Sequence, residues 1–357
     1  MSRSEPGRKP AAGSARWPWA FSLLLALLAS ASATAAPITV TDLTGRTVTL
    51  AQPARRVVCL LESALSGLYM LGAQDRLVGV SSPVYEASVR AYYAAMDPRI
   101  AAGSLPAPGS WDFVNVESVM ALRPDLVVMW GSQEESVKAL ADRGLAVYAV
   151  RIASFADIGQ ELDDLGRLTG TEARAAELRA LVQQRLAAVR QRLAANDAGG
   201  RPRAYFMWAQ GPLETAGRAS TVQELLELAG ATNVTGDSPL EHLVVNLEQL
   251  LGWNPEVIIM WCNDRLDPAD VAAMAGWRVL AATRASRVYE LPDPFCCDFW
   301  TLKYLFAVEL VARWCHPGPS AADANLEPLR AELFAQLYGS RLQTANLPPL
   351  SVGGARP

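Results

Sequence analysis

The chain has 357 residues, of which 51% are apolar and 19% charged, and its formal net charge is −4. So many apolar residues exclude an intrinsically disordered or fibrous protein, and the lack of a basic excess argues against a nucleic-acid partner. Only two histidines, His242 and His316, are present. This number argues against imidazole catalysis and against a metal site built from several histidines.

The first 35 residues have the pattern of a secretory signal peptide. Cationic residues up to Arg16 precede an almost wholly apolar run at residues 17–28, and Ala33-Thr34-Ala35 supplies an A-x-A cleavage pattern. The apolar run is shorter than the roughly 20 residues that a membrane-spanning helix needs. We therefore expect cleavage before Ala36 and export of a soluble protein to the periplasm.

Short apolar runs then alternate with helical patterns along the chain. Strands are predicted after Pro124 and after Pro255, and at residues 57–61, 77–80, 146–150, 204–208 and 288–291. Because strands that alternate with helices form parallel sheets covered on both faces, this order predicts an α/β fold.

A segment of 17 residues occurs twice, at an offset of 131. Residues 114–130 and 245–261 each contain an Asn-x-Glu motif, a proline and an apolar run that ends in Met-Trp. A second repeat pairs Leu71-Gly72-Ala73 with Ala229-Gly230-Ala231. The fold class is therefore α/β, with two related lobes around central parallel sheets, joined by one long rigid α-helix.

The joining helix is predicted at residues 171–196, which contain no Gly or Pro. Its apolar stripe has helical spacing, and at 1.5 Å per residue the helix spans roughly 40 Å; the stripe consists of Leu178, Leu181, Val182, Leu186 and Val189. The segment Asn196-Asp197-Ala198-Gly199-Gly200 should end the helix. The chain then divides into lobes at 36–170 and 197–342 and a mobile tail at 343–357.

Five cysteines are present. Cys59 and Cys315 lie in apolar patterns typical of buried, inert thiols. Cys296 and Cys297 are adjacent, and a disulfide between neighbours is strained. We expect this pair to lie near the ligand as free thiols, either packed or in contact with a soft metal.

Ligands of parallel sheets bind beyond the carboxyl ends of the strands. Aromatic and thiol side chains follow several predicted strands, and a long excursion in the first lobe adds two more aromatic residues. The predicted binding residues are Tyr85, Trp111, Trp130, Trp208, Trp261, Phe295, Cys296, Cys297 and Trp300. An alternative for Trp130 and Trp261 is that they only close the apolar core of each lobe.

Residues 38–330 resemble the periplasmic substrate-binding proteins of the iron-siderophore and vitamin B12 class. The resemblance is carried by the paired Asn-x-Glu segments, the long helix, and the motifs VTDLTGR at 40–46, PARRVV at 53–58 and GATNV at 230–234. It implies a monomer, without a cofactor, that captures a metal chelate between its lobes and delivers it to an ABC importer. Trp111 and Trp130 match tryptophans that face the corrin ring in the B12-binding member. The segment 295–300 lacks the arginine of that member, so corrinoids, iron chelates including haem, and metal oxyanions remain open as ligands.

Glu117 and Glu248 occupy the same position of the repeated segment. Asn115 and Asn246 should cap the two short helices, and a carboxylate in a first turn is favourable without any partner. The resemblance implies that both glutamates dock on the permease dimer in the inner membrane. Helical spacing predicts that the apolar residues of the two helices face inward, namely Val116, Val119, Met120, Leu247, Leu250 and Leu251.

Two other functional classes compete with a carrier. A periplasmic enzyme that acts on a metal chelate is the alternative, with Asp293 and Asp298 as candidate paired carboxylates. The sequence has no G-x-S-x-G, Walker or H-E-x-x-H motif. A surface adhesion or sensor module is weakened by the lack of a predicted anchor.

Overall fold

The computed structural model describes residues 1–4, 7, 36–195, 200–317, 326–342 and 347–350. The predicted signal peptide and its cleavage pattern lie almost wholly outside these residues. From Pro37 onward the chain forms one compact unit. No helix within the described ranges combines the length and the apolar character needed to cross a bilayer.

The strands of the described residues are β1 (Ile38–Thr41), β2 (Thr47–Leu50), β3 (Val57–Cys59), β4 (Leu77–Gly79), β5 (Leu126–Trp130), β6 (Val147–Val150), β7 (Arg203–Met207), β8 (Glu214–Ala216), β9 (Thr232–Asn233), β10 (His242–Val244), β11 (Val257–Met260) and β12 (Val288–Glu290). The helices are α1 (Glu62–Leu71), α2 (Ala87–Met96), α3 (Pro98–Ala101), α4 (Val116–Ala121), α5 (Glu134–Ala141), α6 (Phe155–Thr169), α7 (Glu172–Ala195), α8 (Thr221–Leu228), α9 (Leu247–Trp253), α10 (Pro268–Ala273), α11 (Ala281–Arg284), α12 (Tyr304–Cys315) and α13 (Glu327–Tyr338).

Two four-stranded parallel sheets form the centres of the two lobes. The first has the order β4-β3-β5-β6 and the second the order β12-β11-β7-β9. In register, Val57 pairs with Leu126 in the first sheet, and Val257 pairs with Ala204 in the second. Their strands are nearly continuous apolar runs because helices cover both faces. The predicted α/β class with two related lobes is confirmed.

Helix α7 begins one residue after the predicted start. Leu178 and Val189 of the predicted stripe are buried, and Leu181, Val182 and Leu186 pack against the same core. The predicted end of the helix falls on residues 196–199, which lie outside the described ranges.

Helix α13, which the sequence assigns to the second lobe, contacts both lobes. The Ser66 and Tyr338 hydroxyls, from α1 and α13, share a 2.6 Å hydrogen bond. Arg174 of α7 donates to the Gln336 carbonyl over 2.6 Å. Within the predicted mobile tail, residues 347–350 are held on α13, because Arg330 donates to the Pro348 carbonyl over 2.7 Å. The other tail residues, 343–346 and 351–357, lie outside the described ranges.

Candidate ligand-binding cleft

A cleft of about 550 Å³ lies where the carboxyl ends of the strands of both sheets meet. Leu61 to Ser63 follow β3, Trp130 ends β5, and Ile152 follows β6. From the second lobe, Trp261 follows β11, and the segment 294–303 follows β12. The volume is within the usual range of small-molecule sites, and the position is the one that parallel sheets use for ligands.

Five predicted binding residues line this cleft: Trp111, Trp130, Trp261, Phe295 and Trp300. Trp111 is 54% exposed at the rim, whereas Trp130, Trp261 and Trp300 are half-buried and also pack against the core. Core packing and cleft lining are therefore not exclusive for Trp130 and Trp261. Their contact with a ligand stays a prediction.

Phe295 forms the floor of the cleft and is held by a residue of the first lobe. Its ring stacks on Tyr92 of α2, with centroids 4.0 Å apart and planes 9° apart. The Tyr92 hydroxyl donates to Asp293 Oδ2 over 3.1 Å. Phe295 therefore belongs to the second lobe in sequence but packs against a residue of the first lobe.

The other four predicted binding residues lie away from the cleft. The Tyr85 hydroxyl donates to the Leu105 carbonyl over 2.8 Å, which holds the ring within the first lobe. Trp208 packs behind Trp261, with centroids 5.4 Å apart.

Cys296 and Cys297 are fully buried, and neither lines the cleft. Cys296 Sγ lies 3.7 Å from the Tyr92 hydroxyl and 3.9 Å from Arg330 Nη1. Burial raises the pKa of both thiols. All five cysteines are free thiols, and within the described part of the chain no group of three His, Cys, Asp or Glu side chains is arranged to hold a metal. The expected ligand contact of the pair is therefore corrected to a core position.

Charged cleft residues were mostly missed by the sequence analysis. Four carboxylates, Glu62, Glu86, Glu241 and Asp298, line the cleft together with Lys303. The Glu62 carboxylate accepts a hydrogen bond from the Ser81 hydroxyl, and burial raises its pKa. The sequence indicates a role for Asp298 only as part of a candidate enzyme pair.

Lys303 is 1% exposed at the base of the cleft. Its Nζ lies 3.4 Å from Asp298 Oδ2 and 3.7 Å from the centroid of Phe295, so it is held by an ion pair and a cation–π contact. Burial lowers the pKa of Lys303, and the Asp298 carboxylate opposes that shift. The sequence signal that could have pointed to Lys303 is the rarity of lysine, since nearly all the other cationic residues of this chain are arginines.

A fifth carboxylate, Glu161 of α6, is buried beside the cleft. It lines a cavity of about 10 Å³ together with Ser63 and Trp300, and its Oε1 has no hydrogen-bond partner among the described residues. Burial raises the pKa of Glu161 to about 8, and the negative charges of Asp298 and Asp164 add to the shift.

The two helices of the repeated segment are capped as predicted. Ser118 N donates to Asn115 Oδ1 over 2.9 Å, and Gln249 N donates to Asn246 Oδ1 over 2.8 Å. Glu117 and Glu248 are exposed in the first turns. Leu251 is 37% exposed rather than facing inward as expected, whereas Leu250 of the same helix is buried and Leu247 and Trp253 pack against the same apolar cluster.

Comparison with known proteins relates the chain to binding proteins. It is 29% identical over 254 residues to a cobalamin-binding protein of Halobacterium salinarum, a match that covers 70% of this chain and 65% of that protein. It is 27% identical over 212 residues to a vitamin B12-binding protein of Yersinia pestis, covering 59% of this chain and 70% of that protein.

The fold is also found in a molybdate periplasmic binding protein of Haemophilus influenzae. The TM-score is 0.69 at 23% identity, over 84% of this chain and 97% of that chain. A family model described as periplasmic binding protein matches residues 57–295, more than half of the chain. The chain therefore belongs to the periplasmic binding protein family.

Proposed function

We propose that this protein is the solute-binding component of an ABC importer and that it captures a corrinoid in the cleft. The observation that carries the proposal is the wall of four indoles, Trp111, Trp130, Trp261 and Trp300, contributed by both lobes. Flat aromatic faces stack on a large planar ring and bury it without requiring charge. Relatives named as cobalamin-binding and vitamin B12-binding proteins support the same ligand class.

The charges of the cleft support this choice. Four carboxylates line it, and Lys303, the one cation among the lining residues that the structure describes, is already paired with Asp298. Ligands with several negative charges, such as ferric catecholates, haem with its propionates, or metal oxyanions, would be repelled. A neutral or cationic corrinoid would not be repelled by these carboxylates. A neutral ferric hydroxamate is the competitor that charge alone leaves open.

The indoles also offer hydrogen bonds. Each of these four tryptophans carries one hydrogen-bond donor, the indole Nε1. They are available to the amide oxygens that surround a corrin ring, which would add orientation to the stacking.

Delivery completes the proposed function. After removal of the signal peptide, the monomer would carry its ligand across the periplasm and dock through Glu117 and Glu248 on a permease dimer in the inner membrane. Both carboxylates are exposed at equivalent positions of the repeat, and arginine makes charge-assisted pairs with such groups.

The test is a titration of the purified exported protein, followed by tryptophan fluorescence and calorimetry. We expect saturable, stoichiometric binding of cyanocobalamin and none of haemin or molybdate. Binding of a ferric hydroxamate without cyanocobalamin would refute the corrinoid assignment. Recovery of chemically altered cyanocobalamin would favour the enzyme alternative, whereas unaltered ligand favours the carrier.

A further inference from the structure

Two exposed carboxylates, Glu86 and Glu241, line the cleft from opposite lobes. Glu86 directly precedes α2, yet its side chain makes no capping hydrogen bond to that helix. Glu241 directly precedes β10. Because exposed carboxylates are ionised at neutral pH, each lobe contributes a negative charge to the rim of the cleft.

The cationic side chains that follow these two carboxylates in sequence are engaged elsewhere. Arg90 lies one turn after Glu86 on α2, but its guanidinium donates to the Ala101 carbonyl over 3.2 Å. His242 is paired with Glu214, with 2.5 Å between Nε2 and Oε2. Neither rim charge is therefore cancelled by its neighbour along the chain.

The base of the cleft does not offset the rim charges. Lys303 forms its ion pair with Asp298, so the charges of these two residues cancel. Glu62 adds a third carboxylate, which is half-buried and hydrogen-bonded to Ser81. The described lining residues therefore carry an excess of at least two negative charges, whether or not Glu62 is protonated.

The indole wall favours the same sign of ligand charge as the carboxylates. The face of an aromatic ring carries partial negative charge, and Trp attracts cations more strongly than Tyr or Phe does. Four indoles line the cleft. Stacking on them is therefore stronger for a cationic ring system than for a neutral ring system of the same shape.

Corrinoids of nearly the same shape differ in net charge. An anionic axial ligand on the cobalt and the phosphate of the nucleotide loop each remove one positive charge from the cobalt-corrin unit. Cyanocobalamin has both groups and is neutral. Aquacobalamin, in which water replaces the cyanide, is a cation, and so is a corrinoid that keeps the cyanide but lacks the nucleotide loop. The charge of the bound metal centre thus varies while the corrin ring stays the same.

We propose that the cleft selects corrinoids with a net positive charge and that Glu86 and Glu241 are the residues that determine this selectivity. Two carboxylates that act across about 10 Å of a partly solvated cleft favour a cation over a neutral ligand by about tenfold. The inference rests on the proposed function and adds a preference among corrinoids to it.

The experiment compares aquacobalamin with cyanocobalamin, each titrated into the purified exported protein at mildly acidic pH, where the axial water stays protonated. The test variant combines Glu86→Gln with Glu241→Gln, which removes both charges and keeps the shape of the side chains. The matched control combines Glu135→Gln with Glu172→Gln, because both residues are exposed and lie outside the cleft.

We expect wild-type protein to bind aquacobalamin about tenfold more tightly than cyanocobalamin at low ionic strength. The ratio of the two affinities should approach one at about 1 M salt, where the Debye length is about 3 Å. It should also approach one in the test variant at low salt and stay near ten in the control. Each single substitution, Glu86→Gln or Glu241→Gln, should lower the ratio by about threefold, so the result does not depend on the folding of the double variant.

Equal affinities for the two corrinoids in wild-type protein would overturn the charge selectivity and leave the proposed function in place. A ratio that persists in the test variant and at high salt would also overturn it, because a side chain that replaces the axial water on cobalt gives that result. Binding of neither corrinoid would refute the proposed function together with the inference.

Discussion

Replacement of Lys303 by methionine tests whether the charged base of the cleft is held as the structure indicates. The change leaves Asp298, whose side chain is 13% exposed, without its cation. Loss of one partner of a buried pair costs about 3 to 5 kcal/mol. Trp300 N still donates to Asp298 Oδ1 over 2.9 Å, so we expect the lower end, about 3 kcal/mol. For a chain of this size that corresponds to a fall in Tm of roughly 5 °C.

Urea unfolding and scanning calorimetry of the apo protein provide the measurement. Lys138→Met is the control, because Lys138 forms an exposed pair with Asp142, and such pairs contribute about 0.5 kcal/mol or less on a helix surface. Adding Asp298→Asn to Lys303→Met should recover most of the loss, since no buried charge is then unpaired. A loss for Lys303→Met no larger than that for Lys138→Met would refute the reasoning.

Three further predictions concern the cleft and its surroundings. Trp111→Ala should weaken cyanocobalamin binding about tenfold and change apo stability by less than about 0.5 kcal/mol, since a rim indole loses ligand stacking rather than core packing; collapse of apo stability would make Trp111 a core residue. The pKa of Glu161, about 8 in the folded protein, lies above its unfolded value, so its stabilisation is present below about pH 4 and is lost as the pH rises to 8. Glu161→Gln should therefore gain about 3 kcal/mol relative to wild type between pH 5 and pH 8 in urea unfolding, and a constant difference would contradict this. Cys296 and Cys297 should resist alkylation in the folded protein and react fully after unfolding without reductant, and a two-dalton deficit on their shared peptide would reveal a vicinal disulfide.

The sequence predicted the sheets well because parallel strands covered on both faces leave a strong local signal. The runs that became β5 and β11 are apolar without interruption, end in the same Met-Trp pair and repeat at one offset. Such a pattern depends little on distant residues. The positions of the indoles that follow these strands were predictable for the same reason.

Placement within the segment 295–300 was not predictable locally. Phe295 lines the cleft while Cys296 and Cys297 turn into the core, and the choice is made by the stacking of Phe295 on Tyr92, about two hundred positions earlier in the chain. The contact of Tyr338 with Ser66, which joins α13 to the first lobe, is equally remote in sequence. Spacing along the chain carries no information on either contact.

The stack of Phe295 on Tyr92 has a consequence for how cargo leaves the protein. A wide rotation of the lobes would break this stack and the bond from the Tyr92 hydroxyl to Asp293. We therefore expect the cleft to be assembled before a ligand arrives, so that capture costs little conformational entropy. A receptor that is ordered in advance also stores no conformational strain on binding that could later drive release of the ligand. The work of release must then come from the machinery that receives it.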